Sequence, residues 1–311
     1  MTSLSFPHYN DDDDDNDDTL WIVSSRGYND ITVNIEKLRA LASRKPTPLR
    51  LADMYKYAVN TSDKAQRLRN AQFLHQELAI RAAQRAYDLL TLRYGLGESE
   101  PIREVAHIYL RYVSQLESFP SPRTELEEEA FTDMLQSMVL DRTTIPMLLS
   151  RGIQEWRETQ PQDGTTASFV TQEQARNLEE IEEGLYRFFL ARVGLRFLIE
   201  HHVLSSPRYS NSSEIRHAKF GGPQDFLGCI QTECDAKSEV ERVAAKVKGE
   251  TREHYAGLCP DIEIVECGPS GLSVQPEDNQ NGNKGFTYVP HHLQYMIAEL
   301  LKNSCRATVK R

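Results

Sequence analysis

The sequence predicts an α + α/β chain, in which a bundle of four long helices precedes a shorter segment that mixes helices with strands. Three observations predict it. Four stretches between Leu49 and Leu204 carry apolar residues at three- and four-residue spacing, the signature of helices with one buried face. Ser, Asn, Pro and Gly then concentrate in 205–222, a composition that joins domains rather than filling them. Beyond it, helical periodicity over Cys234–Tyr255 gives way to strict alternation in Asp261–Glu266 and to a short strand leading into a last helix at Phe286–Arg311. The expected division is an acidic tail over 1–48, a helical bundle over 49–204, a linker over 205–222 and an α/β segment over 223–311.

The tail opens with Asp11 to Asp15 and Asp17-Asp18, a block of like charge that repels itself and buries nothing, so disorder is expected there. It lacks both the Arg-rich character of a mitochondrial presequence and the apolar core of a secretory signal. Leu20-Trp21-Ile22-Val23 reads equally as a strand or as a docking peptide. Ser62 and Asp63 can cap the first long helix, whose stripe is Leu68, Phe73, Leu74, Leu78, Ala82, Tyr87 and Leu90 and whose end is marked by Tyr94-Gly95 and Gly97. The second begins around Pro101, carries Val105, Ile108, Tyr109, Tyr112, Val113 and Leu116, and stops at Phe119-Pro120-Ser121-Pro122. The third is expected from about Arg123 to Thr159, with Glu125 and Glu127 to Glu129 favourable in its first turn and Pro146 kinking it. After a linker at 160–170 the fourth runs from Thr171 to about Leu204 through Leu178, Ile181, Leu185, Phe188, Phe189, Val193, Leu195, Phe197 and Leu198. These stripes are core packing.

Composition narrows the function classes. With 39% hydrophobic and 26% charged residues in 311, the chain has enough apolar material for a sizeable core, and no run reaches the roughly 18 apolar residues of a membrane span. A formal net charge of −10 argues against a sequence-independent grip on nucleic acid, although the tail supplies much of it. Cys229, Cys234, Cys259, Cys267 and Cys305 form no CxxC pair and no zinc spacing, so reduced thiols in a cytosolic or matrix compartment are expected. The pairs His201-His202 and His291-His292 are not taken as metal sites, because neighbouring helical residues point about 100° apart.

The last helix carries the candidate chemistry. Pro290 suits a first helical turn, and Leu293, Met296, Ile297, Leu300 and Leu301 predict one buried face. Glu299 and Asn303, four apart, lie one turn from each other with Lys302 beside them. A carboxylate can take a proton and a carboxamide oxygen can hold a hard cation such as Mg²⁺. Spacing alone is equally satisfied by a solvated helix face.

Several strings carry a resemblance. Glu299-Leu300-Leu301-Lys302-Asn303, followed by Arg306-Ala307-Thr308 and preceded by Tyr288-Val289-Pro290 and His292-Leu293, resembles the N-box of the mitochondrial 2-oxoacid dehydrogenase kinases, the pyruvate and branched-chain enzymes. Gln76-Glu77-Leu78-Ala79-Ile80-Arg81 is similar to their QELPVR segment, with Ala79 in place of proline. Phe189-Leu190, Arg192, Leu195 to Leu198 and His202-Val203-Leu204 resemble their FLDR, IRML and HxL run, and Tyr255 with Cys259 to Ile264 resembles the entry to their nucleotide domain.

The resemblance covers about residues 49 to 311 and implies a four-helix regulatory bundle followed by an α/β ATP-binding domain of the histidine-kinase type (GHKL). It implies phosphoryl transfer from ATP to a serine of the dehydrogenase E1α subunit, with Glu299 as general base, Asn303 as Mg²⁺ ligand, and Lys302 and Arg306 as basic positions at the nucleotide. It also implies docking on the E2 lipoyl domain, a homodimer and a place in the mitochondrial matrix. Tyr295, four before the base, matches the branched-chain enzyme, whereas Tyr288-Val289-Pro290 and Cys259 to Ile264 look more like the pyruvate enzymes. The 160–177 stretch is longer than the family pattern. No DxGxG string is present before Arg311, so the ATP-binding domain is expected to be incomplete in this sequence. A non-catalytic module that binds E2, and a generic helical adaptor, are the competing expectations.

Overall fold

A computed structural model describes residues 20–23, 31–59, 63–140, 144–159, 172–210, 226–265 and 286–310. The Asp run, Ser62, the 160–170 linker, most of 205–222, Cys267 and the stretch from 266 to 285 lie outside them. The chain divides into two compact units, and the two longest helices contribute to both.

The first unit comprises 1–46, 77–118 and 143–192. Strand β1 (Leu20–Val23) pairs antiparallel with β2 (Ile31–Asn34), Leu20 opposite Asn34 and Val23 opposite Ile31. Helix α1 (Ile35–Ala42) follows directly and buries Leu38, so the second half of the segment expected to be disordered is folded. The Gln84 amide donates to the Ala42 carbonyl at 3.1 Å and to that of Arg44 at 2.8 Å, closing the open end of α1. Helix α2 (Leu51–Val59) precedes the first long helix, α3 (Lys64–Leu90), and the part of α3 from Glu77 on belongs here.

Tyr94 and Gly95 stop the chain in left-handed backbone at φ 58 and φ 78. A 3-10 turn over Leu96–Glu98 then leads into α4 (Glu100–Ser118), with Pro101 in its first turn. Ile102, Val105, Ala106, Ile108, Tyr109, Val113 and Leu116 of α4 are buried, as their spacing requires.

Helix α4 packs against the segment expected to be a third long helix. The single kinked helix expected over 123–159 is two helices, α5 (Glu125–Leu140) and α6 (Ile145–Thr159). Pro146 occupies the first turn of α6, where its missing N–H removes no bond, so it starts a helix instead of bending one. Gly152 lets α6 approach α4: a Cβ there would lie 2.9 Å from Ile102 Cγ1. Trp156 fixes the other end through its indole N–H, which donates to the Tyr94 carbonyl at 2.7 Å. From α7 (Gln172–Ser205), Ile181 and Phe188 complete the core, and Arg192 donates to the buried Tyr109 hydroxyl at 2.9 Å.

The second unit comprises 47–76, 119–142 and 193–311. Asp63 caps α3 by accepting from the Ala65 N–H at 2.9 Å, as its position predicts. Helix α5 has its own cap, a reciprocal pair in which the Thr124 hydroxyl accepts from the Glu127 N–H at 3.3 Å and the Glu127 carboxylate accepts from the Thr124 N–H at 3.1 Å. Met54, Ala58, Leu74, Phe131, Leu135, Leu195, Leu198 and Val203 form the apolar core.

Through that core runs a buried polar chain. The Tyr57 hydroxyl bonds His202 Nδ1 at 2.9 Å, His202 Nε2 bonds Thr132 Oγ1 at 3.1 Å, and Thr132 Oγ1 donates to Glu128 at 3.1 Å. Arg67 closes the chain on Glu128. Because the Thr132 proton goes to Glu128, His202 must donate from Nε2 and accept at Nδ1, which assigns a single neutral tautomer. Burial first, then His201 and Arg67, push the His202 imidazole down to about 3.

After α7 a short helix α8 (Pro207–Ser210) precedes an antiparallel sheet. Strands β3 (Phe226–Leu227) and β4 (Ile230–Cys234) form a hairpin around Gly228, and β5 (Phe286–Tyr288) pairs with the other side of β4. Gly228 sits at φ +61, and a Cβ there would fall 2.6 Å from His201 Nδ1, so both backbone and space require glycine. The α/β expectation therefore becomes α + β among the described residues, with a three-stranded sheet in the order β3-β4-β5. The strand expected at 261–266 is absent among the described residues, where Asp261 to Val265 pair with no strand. Alternation marks an extended chain with one face down, and Ile262 does pack inward, but a ladder also needs a partner. No helix of the described residues is long and apolar enough to cross a membrane.

Candidate functional site

The site is built on two helices, α9 (Ala236–His254) and α10 (Pro290–Val309). The Asp235 carboxylate caps α9 by accepting from the Lys237 N–H at 3.1 Å, and α10 begins with Pro290 at its first position. Val243 and Val247 of α9 enclose Cys305 of α10, with Ile262, Ile297, Ala298 and Leu301 packed around them. This corrects the buried face expected for α10. Ile297, Leu301 and Cys305, four apart, face α9, whereas Met296 and Leu300 are 46% and 68% exposed. A single partner helix covers only a narrow stripe, and residues 296 and 300 lie about 100° around the axis from it.

That packing sets the register of the polar face. Glu299, Lys302, Asn303, Arg306 and Lys310 fall at i, i+3, i+4, i+7 and i+11 and line an open groove of about 590 Å³. Glu250, Thr251 and His254 of α9, with Tyr255 at its C-cap, form its other wall. All four residues singled out from the sequence are thus brought together on one surface. Lys302 Nζ lies 3.3 Å from Glu299 Oε1 and 3.9 Å from Glu250 Oε2, all three side chains being about 45% exposed. Pairs this exposed contribute little to stability, so the arrangement holds charges in place more than it holds the fold.

Nothing in the sequence singles out Glu250, Thr251 or His254, and Tyr255 stands out only in the string that resembles the entry to the nucleotide domain. Their spacing puts them on one face of α9, but only tertiary packing sets that face opposite α10. On the side of α10 that faces α9, burial pushes the Cys305 thiol up. The turn that returns the chain here uses left-handed backbone at Ala256 (φ 52) and Gly257 (φ 90), and Lys248 Nζ then meets Asp261 at 3.4 Å.

Among the described residues no group of three His, Cys, Asp or Glu side chains gathers as a metal cage. The donor set fits Mg²⁺ of another kind, held by one or two protein oxygens with the rest from phosphate and water. Asn303 could offer a neutral hard oxygen on the same face as Glu299, and Lys302, Arg306 and Lys310 are the cations that could meet phosphate oxygens.

The groove thus holds a carboxylate, a carboxamide and three cationic side chains on one surface. Comparison with known proteins gives the family. Residues 48–231 match the family described as mitochondrial branched-chain alpha-ketoacid dehydrogenase kinase. The chain is 30% identical over 280 residues to a mitochondrial pyruvate dehydrogenase (acetyl-transferring) kinase of Arabidopsis thaliana, covering 89% of this chain and 64% of that one. It is 26% identical over 276 residues to the Drosophila melanogaster kinase of the same name, covering 85% and 57%. Isozyme 4 of Ictidomys tridecemlineatus is 23% identical over 290 residues, covering 93% and 62%. The chain belongs to the mitochondrial 2-oxoacid dehydrogenase kinase family. It spans less than two thirds of the length of these relatives.

Proposed function

We propose that the protein is an ATP-dependent protein-serine kinase that phosphorylates the E1α subunit of a mitochondrial 2-oxoacid dehydrogenase complex, pyruvate or branched-chain, and so lowers its flux. The observation that carries this reading is the single groove lined by Glu299, Lys302, Asn303 and Arg306, in a chain whose family is that of such kinases. Glu299 takes the proton of the attacking serine hydroxyl, from a helix whose other side, Ile297, Leu301 and Cys305, packs on α9. Lys302 and Arg306 hold the nucleotide phosphates, and Asn303 holds Mg²⁺. The metal, when bound, neutralises charge on the transferring phosphoryl group. In this reading residues 49–204 are the four-helix regulatory bundle that docks on the E2 lipoyl domain, 223–311 belong to a GHKL-type ATP-binding domain, and the protein works as a homodimer in the mitochondrial matrix.

The test is transfer of label from [γ-³²P]ATP to purified pyruvate and branched-chain dehydrogenase complexes. Phosphoserine on E1α of one complex, dependent on added Mg²⁺, is expected. Retention of the protein on lipoylated E2 without any transfer to either E1α would replace the kinase with a docking module.

A further inference from the structure

The first unit holds a cavity of its own, about 320 Å³, where the end of α3 meets α7. Small-molecule pockets usually run about 300–1,000 Å³ and are mainly apolar. This one is small and lined by charge: Asp88 and Arg93 from the α3 side, Glu180, Glu183 and Arg187 from α7, with Leu92 as the apolar side chain. Gly184 makes the meeting close, since a Cβ there would lie 2.9 Å from Leu92 Cδ2. Three of the five charges are spoken for. Asp88 is held by Arg85 at 2.6 Å, and Glu180 accepts from Arg93 at 3.1 Å and from the Tyr94 hydroxyl at 3.0 Å. Glu183 and Arg187 are left: among the described residues neither enters a hydrogen bond or an ion pair, and Arg187 acts on Asp88 only at longer range. They stand one turn apart on α7, about 5–6 Å between Cβ atoms and in the order that favours a pair, yet they do not close on each other. The last turn of α3 adds a second unmet charge, because no basic residue in it offsets the negative end of a 27-residue helix.

We propose that this cavity binds a small zwitterion, a free α-amino acid with a short or polar side chain, whose ammonium meets Glu183 and the carbonyl end of α3 and whose carboxylate meets Arg187. An anion alone leaves Glu183 unmet, and a cation alone leaves Arg187 unmet. In an α-amino acid both charges hang from one carbon, and with a charge-assisted hydrogen bond of about 2.7–2.9 Å at each end they span the single helical turn between the two side chains. The planar guanidinium of Arg187 can donate to both carboxylate oxygens at once. Leu92 alone offers apolar surface among the described lining residues, so little is present to hold a long hydrocarbon. The site shares no residue with the groove of α9 and α10 and stands whether or not the kinase reading does.

The test titrates the whole chain with L-alanine and L-serine at neutral pH, followed by saturation-transfer NMR, beside N-acetyl-L-alanine, which lacks the ammonium, and L-alaninamide, which lacks the carboxylate. Both amino acids should bind saturably, and each capped analogue at least about tenfold more weakly, the loss expected for one charge-assisted hydrogen bond. Glu183→Gln should weaken the amino acids about tenfold and erase their advantage over N-acetyl-L-alanine, and Arg187→Gln should do the same against L-alaninamide. Both side chains are exposed and outside any ion pair among the described residues, so neither change should alter the circular dichroism. The comparison of free with capped ligands in the parent decides the matter even if a variant is less stable. No saturable binding of either amino acid, capped analogues that bind as tightly, or an affinity unchanged in both variants would overturn the proposal. None of these readouts depends on kinase activity.

Discussion

The buried imidazoles make stability depend on pH in a direction and amount that the structure sets. His202 is held down to about 3 and His201 to about 4, both mainly by burial, against 6.5 for a free side chain. Between those values and 6.5 the unfolded chain binds protons that the folded chain refuses. Stability is therefore complete above the free value and falls as pH drops below it. From about pH 7.5 to about pH 5 each histidine removes about 2 kcal/mol, because 1.5 units of unmet protonation correspond to about 2 kcal/mol at 1.36 kcal/mol per unit. The two together remove about 4 kcal/mol, a large part of the stability of an ordinary domain.

Urea unfolding at the two pH values measures this loss in the parent and in His202→Gln. The substitution lowers stability at both, since Tyr57 and Thr132 lose a partner, but about 2 kcal/mol of the pH-dependent loss disappears. Exposed carboxylates titrate alike in both proteins and cancel in the comparison. If His202→Gln loses as much stability on acidification as the parent, His202 is not the neutral, buried link described here.

Three further outcomes follow from the packing. Arg67→Ala strands the 2%-exposed Glu128 carboxylate without its cation and costs about 3–5 kcal/mol in the same unfolding assay, while Arg50→Ala at an exposed pair leaves the unfolding midpoint nearly unchanged. Gly228→Ala puts a Cβ 2.6 Å from His201 Nδ1 on left-handed backbone, and thermal unfolding should report a loss of at least about 1–3 kcal/mol. Trp156→Phe keeps most of the buried ring but leaves the Tyr94 carbonyl unmet, for a loss of about 1 kcal/mol by urea unfolding.

Much of this was legible in the sequence because helices advertise themselves over many residues. The stripe of α4 and the cap at Asp63 needed only local rules. The break between α5 and α6 was not legible, since Pro146 inside a periodic stretch reads equally as a kink or as a first turn. Asp261 to Val265 alternates as a strand does, yet pairing is a property of two segments, and the alternation shows only one. Met296 and Leu300 were placed in the core because periodicity marks every apolar residue of a stripe, while α9 covers only Ile297, Leu301 and Cys305. At the site, Glu299, Lys302, Asn303 and Arg306 were readable because they share one helix and one string. Glu250 and His254 lie far from α10 in sequence and became visible only when α9 and α10 were packed. The chain from Tyr57 through His202 to Arg67 draws on four helices and has no sequence signature beyond its individual polar residues.

The claim at the centre is that Glu299 takes a proton while its neighbours on α10 hold the nucleotide. Glu299→Gln removes the base and keeps the size and the helix, so it separates the two roles. Label transfer from ATP to E1α should fall by about 10²–10⁴-fold in this variant, while affinity for Mg-ATP, measured by titration calorimetry, stays within about threefold of the parent. Undiminished transfer by Glu299→Gln would contradict the account.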